Sequence, residues 1–391
     1  MNDLSVWELE SFFAPTDIII AGSGFVGLWS AWYLKKLEPK LSITILERGL
    51  IPTGASTRNA GFACFGSLTE LISDADKMGE DKMLELVTMR YKGLRRINKL
   101  FSKKEIGFEH HGGYELIAED PGADVNALDV NTPDINRLRS QIDRFNQLLK
   151  KTVKMQKTFR MVNQKIAEFG FTGIRHLIEN TPEAQLHSGR LCQALLRLVQ
   201  SMGVTVLNNI EITGYEKTGD HLRLHTNLPL SFTTSQLLVC TNAFARQLLP
   251  QLDILPARGQ VLVTSPIEGL PFKGTFHYDE GFYYFRNLGN RVLLGGARNK
   301  AFEAEATEQM TTTTQIQDEL ERFLKEVILP GRNYTIDHRW SGIMGMGSEK
   351  MPIVQAVDKQ ICCAVRMSGM GVALAPIVGE KVARMMTGKD S

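Results

Sequence analysis

The stretch DIIIAGSGFVGLWSAWYLKKLEP, residues 17 to 39, constrains the fold more than any other part of the chain. A short apolar run suited to a buried parallel strand passes through Gly22-Ser23-Gly24-Phe25-Val26-Gly27 into apolar residues at helical spacing that stop at Pro39. In a strand-turn-helix unit the first glycine of GxGxxG permits the tight turn. The second lets a pyrophosphate approach the backbone, and the third lets helix and strand pack closely. The helix N-terminus adds free amide donors and a partial positive charge. A second apolar strand, SITILE, ends at Glu47, followed by Arg48, where a carboxylate can accept hydrogen bonds from ribose hydroxyls. A glycine-rich turn alone also serves packing. With strand, helix and acidic residue in order, the reading is an α/β, Rossmann-like parallel sheet that binds a dinucleotide.

Composition narrows the partner. A chain of 391 residues with 43% hydrophobic and 23% charged residues supports two domains with substantial cores. A formal charge of +2 creates no strong field, so nothing points to nucleic acid or an acidic membrane, and a small neutral or weakly charged ligand is expected. MNDLSVWELESFFAPTD has no basic segment followed by an apolar one, and no apolar run approaches the roughly 20 residues of a membrane span; a soluble, cytoplasmic protein is expected. Cys64, Cys192, Cys240, Cys362 and Cys363 show no CxxC spacing and lie among apolar neighbours. They read as buried thiols, with no disulfide framework and no metal site.

The first motif does not choose between FAD and NAD. The segment GLIPTGASTRNAGFACFG, residues 49 to 66, has glycines for close backbone approach to a second part of a long cofactor, which an NAD site does not need. With these motifs the chain resembles the D-amino-acid oxidase-like family of FAD-dependent oxidoreductases, which includes glycine oxidase, sarcosine oxidase and gamma-glutamylputrescine oxidase. GASTRNAG at 54 to 61 is similar to the family's GASxRNxG. VTVLNNIEI resembles the strand whose last apolar residue touches adenine, and LLVCTNAFA the strand and turn that follow. Pro256-Ala257-Arg258-Gly259-Gln260, GNRVLLGGA and RMSGMGVALAPIVGEKVARMM have their counterparts in the same order. The resemblance implies noncovalent FAD held by Gly22 to Gly27, Glu47, Arg48, Ser56, Arg58, Asn59, Ala60, Gly61, Ile212, Thr241, Asn242, Gly342, Gly369, Met370, Gly371, Val372 and Ala373. Gly369-Met370-Gly371 also reads alone as a turn feeding a helix whose dipole can face negative charge, here the reduced flavin ring.

Residues 132 to 168 carry Ile135, Leu138, Ile142, Phe145 and Leu149 at helical steps, opened by Thr132-Pro133, which predicts a long amphipathic helical region. Its lysines, Lys150, Lys151, Lys154, Lys157 and Lys165, read as a solvated face. QVLVTS, TFHY, GFYYFR and RVLLGG predict an antiparallel sheet forming a lid over the flavin. The expected architecture is a discontinuous FAD domain at 1–90, 175–250 and 336–391, interleaved with an α+β substrate domain at 91–174 and 251–335.

The chain has no GxSxG, no HExxH and no Cys/His metal cluster, consistent with a flavin that accepts hydride equivalents while the protein orients a C–H bond. His110-His111 reads as a surface or structural pair. Tyr283 and Tyr284 point to opposite faces of a strand, so one lines the pocket; Arg286 and Arg258 are the cationic candidates for polarising substrate or flavin. Amino-acid oxidising relatives carry WxGLRP, whose arginine grips the substrate carboxylate. Here Trp340-Ser341-Gly342-Ile343-Met344 places Met344 at that position. Nor does the loop hold the cysteine that binds flavin covalently in sarcosine oxidase. The resemblance implies oxidation of the C–N bond of a small amine or amino acid, with oxygen or another acceptor taking the electrons. A hydroxy-acid or polyol dehydrogenase, and a flavin-binding module without turnover, stay as alternatives.

Overall fold

The computed structural model describes residues 4–118 and 135–389, so the expected helix opening at Thr132-Pro133 lies outside the described residues. The first of two eight-stranded sheets runs Ile353–Ala356, Ile361–Val365, Ser231–Val239, Thr16–Ala21, Ile43–Glu47, Thr205–Asn208. Its central pairings are parallel, and the hairpin Ile212–Thr218 and His221–Thr226 joins Ser231–Val239 antiparallel. The apolar run at 18–21 is unbroken because both faces are covered. Ile18 and Ile20 pack into the core beneath the helices Phe25–Leu37, Ser188–Ser201 and Gly371–Met386, while Ile19 and Ala21 pack into a core on the other face.

The second sheet runs Ile336–Met346, Leu255–Thr264, Arg291–Gly296, Tyr283–Leu288, Thr275–Tyr278, Gly113–Ala118, Ile174–Asn180, Phe159–Met161. All its pairings are antiparallel except Thr275–Tyr278 with Gly113–Ala118. Alternation divides its residues. Leu262, Phe276, Phe285 and Leu294 form one core with the helix Thr314–Phe323; Val261, Val263 and Leu293 turn the other way, onto Ala60, Phe62, Tyr284 and Trp340. The α/β class with a parallel sheet and a largely antiparallel one therefore holds.

Three boundaries differ from expectation. The strands Ile174–Asn180 and Ile336–Met346, assigned wholly or largely to the cofactor domain from sequence, pair into the second sheet. The helix Glu80–Leu100 runs through the expected break at residue 90. The helical region of 132–168 divides into the helix Ile135–Val153, the strand Phe159–Met161 and the helix Gln164–Phe169. Lys154 takes φ +58°, and Asn146 pins the strand by accepting from Phe159 N at 2.8 Å and donating to Phe159 O at 3.0 Å. Lys150, Lys151, Lys154 and Lys157 are exposed, whereas Lys165 turns inward to Glu179 at 2.8 Å.

Candidate active site

The glycine turn stands at the carboxyl end of Thr16–Ala21. Gly22 has φ +97°, and a Cβ on Gly27 would lie 2.1 Å from Gly22 O, so the backbone geometry itself demands glycine. Glu47 organises the turn. Its Oε2 accepts from Ser23 N at 2.9 Å and Ser23 Oγ at 2.8 Å, and its Oε1 accepts from Gly49 N at 2.9 Å. Arg48 stacks 3.8 Å above the Phe244 ring and faces Glu211 at 3.7 Å, which brings Ile212 to the same end of the sheet. Phe25 and Val26 are buried in the first turn of the helix, and Phe25 N donates to Ser56 Oγ at 2.8 Å, so the two expected phosphate-facing segments touch.

Beyond Ser56 the chain is clamped. Asn59 Oδ1 accepts from Gly61 N at 2.8 Å and Ser188 Oγ at 2.6 Å; Arg58 Nη1 donates to Ser341 O at 2.9 Å, and Trp340 Nε1 donates to Arg58 O at 2.9 Å. Gly342 lies against Arg58, where a Cβ would come within 3.0 Å of Arg58 Cβ. Arg286 Nη1 donates to both Gly61 O and Leu186 O at 2.9 Å. Burial pulls its guanidinium down to about 10. Arg286 is thus occupied in holding the bend at Gly61, next to the buried Ala60.

On the opposite wall Thr241 precedes Asn242, whose φ is +48° and whose Oδ1 accepts from Arg366 N at 3.1 Å and Met367 N at 3.3 Å. Ser368 N donates to Gly345 O at 3.1 Å, tying the long strand to the turn Gly369-Met370 before the helix Gly371–Met386. Val372 and Ala373 of that helix are buried in the core. Thr241 Oγ1, Ser341 Oγ and Ser368 Oγ are buried without protein partners. Free hydroxyls, a helix N-terminus, glycine backbone and an acidic acceptor at Glu47 form a donor and acceptor set that fits a dinucleotide with a polar extension.

The second sheet closes this region with Tyr284. Its ring covers Gly295, where a Cβ would be 2.5 Å from Tyr284 Cε2, and its hydroxyl is directed to Gly259 beside Met344. Met344 Sδ in turn neighbours Gly369, at 3.5 Å from the position of a Cβ there. Tyr284, Met344, Gly259, Gly369 and Phe62 therefore meet; Phe62 stands edge-on to Tyr284 with ring centres 5.9 Å apart. Burial pushes the Tyr284 hydroxyl up to about 12, so at neutral pH it is a donor and not a base. The charge acting on it is Arg298, whose own acidity is raised by burial.

Two expected residues turn away. Tyr283 packs on the other face against Phe323, and its hydroxyl donates to Glu319 Oε1 at 2.5 Å. Arg258 also lies on that face, in a two-pronged buried pair with Glu305, Nε to Oε2 at 2.9 Å and Nη2 to Oε1 at 2.7 Å. With its fork occupied, Arg258 is not free for a substrate. The residue that sequence reading missed is Arg298, which stacks on Phe302 at 4.7 Å and has no carboxylate within ion-pairing distance among the described residues. Its one signal was position, immediately after the GNRVLLGGA run. His111 pairs at the surface with Glu109 at 3.3 Å. No helix of the described residues is long and apolar enough to cross a membrane.

The fold has close counterparts. Glycine oxidase from Geobacillus kaustophilus superposes with a TM-score of 0.76 at 16% identity, covering 96% of this chain and 96% of that one. L-proline dehydrogenase from P. horikoshii gives 0.75 at 16% identity, over 96% and 94%. In sequence the chain is similar to the probable oxidoreductase OrdL of Haemophilus influenzae, 22% identical over 388 residues, which are 96% of this chain and 83% of the relative. Residues 17–385 match the DAO family model, FAD dependent oxidoreductase, and the chain belongs to that family of enzymes.

Proposed function

We propose that the protein oxidises the C–N bond of a small amine or amino acid, using noncovalently held FAD, with hydrolysis of the resulting imine by water. When bound, the flavin supplies the hydride acceptor at N5. Gly22 to Gly27 and Ser56 would hold the pyrophosphate, Glu47 the ribose, and Arg48 with Ile212 the adenine end. Arg58 to Gly61, Thr241, Asn242, Gly342 and Gly369 to Ala373 would line the path to the ring. Glycine oxidase and L-proline dehydrogenase, named for amino-acid substrates, support the reaction class.

The observation that carries the substrate reading is the meeting of Tyr284 and Met344 at Gly259, with Arg298 near enough for its charge to act on the Tyr284 hydroxyl. Met344 offers an apolar wall where relatives place a carboxylate-gripping arginine. Tyr284 offers a protonated hydroxyl, and Arg298 a cation without a carboxylate partner among the described residues. An amine fits the wall alone, and an amino acid fits when its carboxylate reaches Arg298. The protein's part is to orient the C–H bond and exclude water, which the buried face does.

An anaerobic flavin-bleaching screen over amines, amino acids, hydroxy acids and polyols tests this, with oxygen and an artificial acceptor compared afterwards. Bleaching by amines or amino acids is expected; bleaching by hydroxy acids or polyols alone would overturn it. For an amino-acid substrate, loss of a charge-assisted bond in Arg298→Met raises KM by about 10- to 100-fold with a smaller change in kcat. Met344→Arg is expected to gain turnover of simple amino acids, and a folded, flavin-loaded variant without that gain would refute the role assigned to Met344.

A further inference from the structure

Behind Phe62, between the cofactor segment and the second sheet, lies a cluster that flavin chemistry does not use. Cys64 Sγ, a Glu183 carboxylate oxygen and a His277 ring nitrogen all lie within 4.8 Å of one another. All three residues are more than nine-tenths buried, at 4%, 0% and 6% exposure. His277 Nε2 and Glu183 Oε2 have no hydrogen-bond partner and face each other at 3.8 Å. That separation is too long for a hydrogen bond. Glu183 and His277 also border a narrow buried gap with Glu115, Asn180 and Ser67. Donors at the 2.0–2.3 Å bond lengths of zinc stand roughly 3.3–3.7 Å apart in a tetrahedron, so a small inward shift of these three brings them to a bare cation.

The surroundings are built to hold such a ligand set. Glu183 Oε1 accepts from Phe65 N at 3.0 Å and Gly66 N at 3.2 Å, which orients the carboxylate and leaves Oε2 aimed at His277. Residue 113 is glycine where a Cβ would strike Glu183 Oε2 at 2.1 Å. Outer contacts of this kind fix a metal ligand before the ion arrives. Asn180 Oδ1, also buried without a partner, borders the same gap and is the candidate fourth donor.

Charge favours a cation too. Among the described residues the cluster gathers the buried Asp74, Glu115 and Glu183 and the partly buried Glu70. Arg90 pairs with Glu70 at 3.2 Å, and Lys350 with Asp74 at 2.5 Å. Glu115 receives only neutral donors, Ser67 Oγ at 2.9 Å and the backbone and side chain of Thr69. Two buried carboxylates are left without a basic side chain other than His277, and buried charges are paired or bind metal. We infer that Cys64, Glu183 and His277 form a structural site for a divalent zinc-like ion that ties the chain beyond the flavin-binding segment to the second sheet. A thiolate, an imidazole and a carboxylate select zinc or cobalt over magnesium or calcium. This revises the expectation that Cys64 is an inert thiol, and it stands independently of the proposed substrate. The competing occupant is a proton: burial disfavours a charged His277, while Glu183, Glu70 and Glu115 favour it. Metal binding releases that proton along with the thiol's.

The flavin-loaded full chain is incubated with Zn²⁺ or Co²⁺, desalted and assayed for metal by mass spectrometry. About one equivalent is expected in the wild type, as for a closed structural site. It should be lost in His277→Ala and Cys64→Ser. Glu183→Gln, which keeps an acceptor for the Phe65 and Gly66 amides, should bind more weakly. In the cobalt form, a difference spectrum against the zinc form should show thiolate-to-cobalt charge transfer, absent in Cys64→Ser. Flavin content serves as the folding control. A flavin-replete wild type whose metal content does not exceed that of His277→Ala, or a cobalt form without charge transfer, overturns the inference even where a variant fails to fold.

Discussion

Glu47→Gln is the substitution whose cost follows most directly from contacts already described. The carboxylate receives three donors: Ser23 N and Ser23 Oγ on one oxygen, Gly49 N on the other. An amide has one oxygen to offer. It can retain the Ser23 pair, but its NH₂ then faces Gly49 N–H, donor against donor, and a poorly satisfied amide costs about 1–3 kcal/mol. The two retained bonds lose their charge assistance, at roughly 0.5–1.5 kcal/mol each. The sum, about 2–6 kcal/mol, falls on the turn that would hold the pyrophosphate and on the acceptor for ribose, so it appears chiefly in FAD binding. At 1.4 kcal/mol per decade that is roughly a 30- to 20,000-fold rise in the Kd of FAD. The assay is quenching of flavin fluorescence on titration into apoprotein, with the melting temperature of the apoprotein beside it. A Kd within threefold of wild type would refute the assignment of Glu47 as organiser of the turn. A large drop in apoprotein Tm with unchanged Kd would show that its role is structural alone.

Tyr284→Phe and Tyr283→Phe should separate site from scaffold. Removing the Tyr284 hydroxyl is expected to lower kcat/KM up to about 10-fold with the Tm little changed, whereas Tyr283→Phe should leave kinetics untouched and cost about 1 kcal/mol through its bond to Glu319. Acid should weaken the fold through Glu70. Burial pushes this carboxyl up, but Lys350 and Arg90 outweigh it and hold it at about 2 against an ordinary 4.5. A depressed carboxyl stabilises above its unfolded value, so about 3 kcal/mol present at neutral pH is lost as pH falls from about 4.5 towards 2. Asp74, raised by burial and by Glu70, contributes with the opposite sign and reduces the net slope. Thermal melts between pH 6 and 3 should show wild type losing stability, and Lys350→Met should start lower and fall less steeply; parallel curves would contradict the assignment.

What was legible in the sequence was local. GSGFVG and Glu47 are set by backbone and neighbouring residues, so spacing carried them, while GASTRNAG was read from its resemblance to a family segment. The break in the helical region at Lys154 was not legible, because it depends on Asn146 capturing both backbone groups of Phe159, a contact between segments that periodicity does not encode. Alternation told that Tyr283 and Tyr284 diverge, but which one faces the cofactor segment depends on where the helix Thr314–Phe323 lies and on Glu319 within it. Cys64, Glu183 and His277 come from three distant segments and present no spacing to read.

The arginines show why motif matching alone misassigns such a pocket. Arg258, Arg286 and Arg298 all follow from family-like strand segments, and all carry the same fork of donors. Their roles separate by what each already holds. Arg258 is spent on Glu305 across the opposite face. Arg286 is spent on two main-chain carbonyls and braces the bend at Gly61. Arg298 alone of the three lacks a strong acceptor among the described residues, and it is the one felt by Tyr284. A substrate carboxylate breaks no ion pair there, whereas at Arg258 it must first break a buried pair at a cost of about 3–5 kcal/mol. On the proposed reading, a substrate carboxylate therefore enters beside Tyr284 from the Arg298 side, with Met344 left as the wall for the apolar part of the substrate.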